Sequence, residues 1–220
     1  MTTTTATVPA TRPLLRGYLH LLALIASLPA GVALVRVARD HTPRTAAIVF
    51  SAGLCALYGV SAAYHRVTWS PAARARMRRA DHSTIFVLIA ATYTAVALLV
   101  LDPVWQRVLL AVVWAGALTG IGLKIFSLES TRKLTATMYI VLGWAAIAAM
   151  PQFVSRIPND ALALIVAGGL LYTGGAIIFA LRRPNPSPRV FGYHEIWHSA
   201  VVGAGACHYL AIRILLTARG

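Results

Sequence analysis

The stretch DHSTIFVLIAATYTAVALLVLDP, residues 81–103, decides what kind of protein this is. From Ser83 to Leu101 it carries no charged side chain, and Asp81 and Asp102-Pro103 close it at the two ends. An apolar run of about 17 to 25 residues is the length that crosses roughly 30 Å of hydrocarbon as an α-helix. Six more such runs accompany it: Tyr18 to Val35, Ala46 to Tyr64, Val108 to Leu123, Leu134 to Met150, Ala161 to Leu181 and Ile196 to Ile212. The whole chain agrees. Its 220 residues are 58% hydrophobic and 12% charged, with a mean hydropathy of +0.71, more apolar surface than a soluble core could bury. Lipid offers the backbone no hydrogen bonds, so runs of this length mean helices, whereas a barrel needs shorter alternating strands. The expected fold is all-α: a single seven-helix transmembrane domain over residues 13–220, after a flexible, Thr-rich tail over residues 1–12.

The net charge of +14 points to topology and not to nucleic acid. Assigning the ends of the runs alternately puts thirteen Lys and Arg on the side of the N-terminus and seven on the other. The positive-inside bias then predicts a cytoplasmic N-terminus and an external C-terminus, in a multi-pass membrane protein. The segment from Arg66 to Arg79, read as a loop, carries most of the asymmetry and lies against anionic headgroups. Membrane lipids are the expected partners. Ser27-Leu28-Pro29-Ala30 could pass for a signal-peptide cleavage site, but the apolar run continues through Val35 and reads as a span. Cys55 and Cys207 fall within spans, where packing is the expected role. Gly116 and Gly120 form a small-xxx-small pair that predicts close helix contact.

Three histidines and an aspartate stand at the ends of the runs, in Ser61-Ala-Ala-Tyr-His65, Asp81-His82 and His194-Glu195-Ile196-Trp197-His198. Ionisable groups at membrane depth are costly and mark function. The alternating topology gives all of them one depth, on the cytoplasmic side. Residues four apart share a helical face, so His194 and His198 can reach one ion, and Ser61 lies one turn beneath His65. Three neutral imidazoles with a fourth position open make a catalytic zinc arrangement; structural sites close all four with protein ligands. The expected cofactor is therefore Zn2+ on His65, His194 and His198, with Asp81 and Ser61 as catalytic residues. A lone histidine at a helix end is ordinarily interfacial or hydrogen-bonded, and His20, His41, His82 and His208 are read so. His208 lies nearly three turns beyond His198, too far to share its ion.

His194-Glu195-Ile196-Trp197-His198 also matches the H-E-x-x-H pattern of zinc proteases, with Glu195 as general base. The extended form fails, since Val201 and Ala204 stand where it requires Gly and His. An intramembrane zinc protease stays an alternative that leaves Ser61 and His65 unexplained.

Ser61-x-x-x-His65, Asp81-His82 with Thr92-Tyr93-Thr94 downstream, and Gly192-Tyr193-His194-Glu195-Ile196-Trp197-His198 together resemble the bacterial hemolysin III proteins, relatives of the progestin and adipoQ receptor family that includes the adiponectin receptors. The resemblance covers the chain from about Arg16. It implies seven helices, zinc near the cytoplasmic face on His65, His194 and His198, a water between the zinc and Asp81, and kinship with alkaline ceramidases. Many members carry Glu and Asn shortly before a first-span His; Arg16-Gly17-Tyr18-Leu19-His20 has neither.

The chemistry expected is metal-assisted hydrolysis of a lipid amide or ester, in a ceramide-like or phospholipid substrate. Zinc lowers the pKa of its water from ~15.7 to about 7; Asp81 serves as general base, and Ser61 orients the site or donates to the developing oxyanion. The competing reading is a non-enzymatic, zinc-stabilised sensor or regulator of membrane lipids, or a cytolytic, hemolysin-type protein.

Overall fold

A computed structural model describes residues 13–127 and 129–218; the tail expected over residues 1–12 lies outside them. In chain order the helices are α1 (Tyr18–Val37), α2 (His41–Arg66), α3 (Pro71–Val100), α4 (Pro103–Phe126), α5 (Arg132–Gly143), α6 (Met150–Arg156), α7 (Asn159–Leu181) and α8 (Tyr193–Thr217). A 3-10 turn, Ala145–Ala149, joins α5 to α6, and the three pieces make one crossing, Arg132–Arg156. Seven segments are thus long and apolar enough to span a membrane, and no strand occurs among the described residues.

The helices begin where the chain supplies caps. Ser70 accepts from the Ala73 amide ahead of Pro71, and the Asp102 carboxylate accepts from the Val104 and Trp105 amides ahead of Pro103. The first of these caps corrects one expectation. The basic segment before Asp81 is not a loop, because α3 starts at Pro71 and carries Arg74, Arg76, Arg78 and Arg79 on its opening turns. Alanine, arginine and methionine are strong helix formers, so the helix runs on past the edge of the apolar stretch.

α3 is the central helix, packed against α2, α4, α5 and α8. Phe50, Phe86, Leu99, Val113 and Ile212 fill the interior without exposure. The outer surface is equally apolar: Leu22, Ile25, Leu28 and Val32 of α1, and Leu170 and Ile177 of α7, all point outward. Apolar side chains inside and outside are stable only in lipid, which makes this a multi-pass integral membrane protein. The small pair in α4 works as expected. Phe86 lies over Gly120, and a Cβ at Gly116 would sit 2.7 Å from Leu142.

The fifth crossing departs from the continuous helix expected over Leu134 to Met150. α5 stops at Gly143, and Pro151 in the first turn of α6 cannot donate back across the gap. The backbone groups so released are taken up by one side chain: Tyr93 donates its hydroxyl to the Gly143 carbonyl at 2.9 Å and accepts from the Ala146 amide at 2.8 Å. Trp144, at the break, donates its indole N–H to Thr173 of α7 at 3.0 Å. A helix can be interrupted at membrane depth when neighbours replace its hydrogen bonds, and here they do.

Candidate metal centre

The last turn of α2 and the first turns of α8 meet at one end of the bundle. His65 is buried at the close of α2, and His194 and His198 project from one face of α8, one turn apart. Their ligating nitrogens all lie within 4.8 Å of one another. The Nε2 atoms of His65 and His194 are 3.2 Å apart, and the His194 and His198 rings stand 4.6 Å apart at a steep angle. Tetrahedral zinc with Zn–N bonds of about 2.0–2.1 Å spaces its ligand nitrogens by roughly 3.3 Å, close to the 3.2 Å spacing of the His65–His194 pair. The three histidines could hold a metal ion.

Asp81 falls outside that group. It sits in the third turn of α3 with 16% of its side chain exposed, and Ser61 of α2, itself buried, directs its hydroxyl to the Asp81 carboxylate. The expected pair is therefore together, with Ser61 one helical turn from His65, and Asp81 lies on a different helix from Glu195 of the protease pattern. His82 turns away, with Nδ1 2.7 Å from the Arg78 carbonyl and its own carbonyl accepting from Tyr139. His208 keeps its distance from the histidine group, within 3.3 Å of the Ile165 carbonyl.

Glu195 is wholly buried and fully engaged. Its carboxylate pairs with the Arg16 guanidinium and accepts from the Gly192 amide at 2.8 Å, which fastens the start of α8. A carboxylate bound in this way is a structural brace and is not poised as a general base for the H-E-x-x-H reading.

Two contributors were not legible as site residues. His20 of α1, read as an ordinary helix-end histidine, lies flat on His198 with ring centroids 3.9 Å apart, and neither of its buried nitrogens has a hydrogen-bond partner. Arg16 and Gly17 bring the chain entering α1 across the site. Gly17 has a φ of 81°, and a Cβ there would lie 2.8 Å from that of His65. The amides of Leu14 and Leu15 bond to the carbonyls of Arg189 and Val190, closing residues 13–17 over the histidines. The signal available was the spacing of Arg16 and His20, one turn apart at the start of the first span.

A family model described as Haemolysin-III related matches residues 9–209. The chain is 31% identical over 196 residues to the Hemolysin-3 of Bacillus cereus, an alignment covering 88% of this chain and 86% of that protein. It is 30% identical over 196 residues to the Hemolysin-3 homolog of Bacillus subtilis (strain 168), covering 88% and 89%. The human Monocyte to macrophage differentiation factor is 27% identical over 205 residues, covering 89% and 80%, and carries the expected link to adiponectin-receptor-like proteins. A match that spans the crossings from α1 into α8, on a bundle whose histidines converge at one end, places this chain in the haemolysin-III related family.

Proposed function

We propose that this chain lies in the bacterial plasma membrane with its N-terminus cytoplasmic, holds Zn2+ on His65, His194 and His198, and hydrolyses a lipid amide or ester in membrane lipid homeostasis. The thirteen-to-seven partition of basic residues supports the orientation. The observation that carries the chemistry is the Asp81–Ser61 hydrogen bond, with Ser61 one helical turn from His65 in the group of three imidazoles. Zinc, when bound, supplies an acidified water and polarisation of a carbonyl. Asp81 takes the proton of the attacking water and returns it to the departing amine or alcohol, so the proton count balances. Ser61, through its hydroxyl, holds the carboxylate in line. Asp81 keeps 16% of its side chain exposed, and residues 13–17 lie across the histidines.

That same cover favours a second reading, a non-enzymatic sensor or regulator in which the metal ties α2 to α8. One experiment separates them. Wild-type protein and Asp81→Asn are compared at matched zinc content for release of fatty acid from ceramide-like and phospholipid substrates. Hydrolysis predicts product from the wild type alone. Background product from both, with chelation lowering only the melting temperature, leaves the regulator. The metal assignment has its own test: zinc falls from one per chain to none in the His194→Ala, His198→Ala double variant, and unchanged stoichiometry overturns it.

A further inference from the structure

The other polar cluster at the histidine end lies on the far side of α3. Gly120 of α4 packs on Phe86 of α3, so Lys124, one turn further, faces the preceding turn of α3 at His82. Lys124 is only 2% exposed, yet it has no hydrogen bond and no ion pair among the described residues. The charges near enough to act on it are Arg78, Arg132 and Glu129. Glu129 is already bound to Arg78 at the surface. One carboxylate thus serves three cations, and the most buried of them has no counter-ion.

A lysine in the last turn of a helix is ordinarily explained by the helix dipole or by snorkelling to water. Neither suffices here. The dipole offsets only part of the cost of burying an ammonium, and a side chain with 2% of its surface exposed meets little water. What would compensate it is an anion with several acceptor oxygens, met by one ammonium and two guanidinium groups.

We propose that Lys124, with Arg78 and Arg132, forms an anion site that takes a phosphate group, carried by an anionic phospholipid or free in solution. The site is separate from the histidines and does not depend on hydrolysis. The lipid arm of the test compares the purified protein in phosphatidylglycerol and phosphatidylcholine nanodiscs, reading retained lipid by native mass spectrometry. The soluble arm titrates inorganic phosphate against chloride at equal ionic strength. Lys124→Gln should weaken retention or binding at least tenfold, Lys124→Arg should preserve it, and Lys133→Gln, an exposed charge lost nearby, should change it less than twofold. Loss in the lipid arm alone identifies a headgroup site, and loss in the phosphate arm alone a soluble ligand; either supports the proposal. Equal losses in Lys124→Gln and Lys133→Gln overturn it. If Lys124→Gln does not fold, the wild type decides: neither phosphate nor phosphatidylglycerol raising the melting temperature above its control overturns the proposal.

Discussion

At the break in the fifth crossing, Gly143 and Ala146 lose their helical partners and Tyr93 takes both, whereas at the histidine end His20 and His198 are as deeply buried and three of their ring nitrogens have no partner. Both places put polar atoms where water is scarce, and an unpaired polar group there costs free energy. The difference teaches how to tell a repair from a site. The break is closed by groups that satisfy one another, so nothing further is needed for it to persist. His20 and His198 instead leave nitrogens unpartnered beside His65 and His194, and the ligand atoms of His65, His194 and His198 lie within 4.8 Å of one another, which is what ligand binding requires. Within the histidine end the same contrast recurs, since Glu195 is fully paired and His20 and the Nδ1 of His198 are not.

The comparison breaks most visibly if the braced groups turn out to be dispensable. Arg16→Ala strands the Glu195 carboxylate inside the protein and should cost about 3 kcal/mol of stability, the penalty typical of breaking a buried pair. Thermal unfolding in detergent micelles measures it. Adding Glu195→Gln should recover more than half, because the stranded charge is gone. A smaller loss, about 2 kcal/mol, is expected for Tyr93→Phe, which leaves the Gly143 carbonyl and Ala146 amide unpaired. A neutral result would show that the break has another support.

The histidine side of the comparison predicts the opposite sign. His20→Phe keeps the stack on His198 and removes two unpartnered nitrogens, so in zinc-free protein it should leave the melting temperature unchanged or raise it by the equivalent of up to ~1 kcal/mol. A clear drop would mean those nitrogens are paired in solution, and the contrast with Tyr93 would fail.

The smallest effect belongs to Asp102, at the end of the bundle away from the histidines. The Trp105 amide, then Gln152, the Val104 amide and Arg156 hold its carboxyl below the ordinary carboxylate range. A carboxyl lowered in the folded state stabilises above its unfolded pKa of about 3.9, and that contribution fades as pH falls through the lower folded value. The melting temperature should therefore dip slightly below pH 4 in the wild type and less in Asp102→Asn, which keeps an N-cap without a titrating group. Equal acid profiles would remove Asp102 from the account.

Much of this was readable along the chain because its physics is local. A charge-free run long enough to cross hydrocarbon must be a helix wherever it lies, which is why residues 83–101 and their six counterparts gave the fold class. The i, i+4 spacing of His194 and His198 put them on one face before any neighbour was known. Alternation of the crossings brought His65 and Asp81 to the same end as those two histidines, and no more than helix order was needed. What the local pattern could not carry was which side chain finds which across helices. The break at Gly143 depends on a tyrosine fifty residues earlier in the chain. Arg16 and Glu195 are 179 residues apart, and neither signals the other. His20 and Lys124 look like ordinary helix-end residues until α8 and α3 pack against them. Sequence by itself determined the number of crossings and the depth of the histidines, because hydrocarbon acts on each segment alone. Only the tertiary structure decided which polar atoms are paired and which are left over, because pairing is a property of two segments and the space between them.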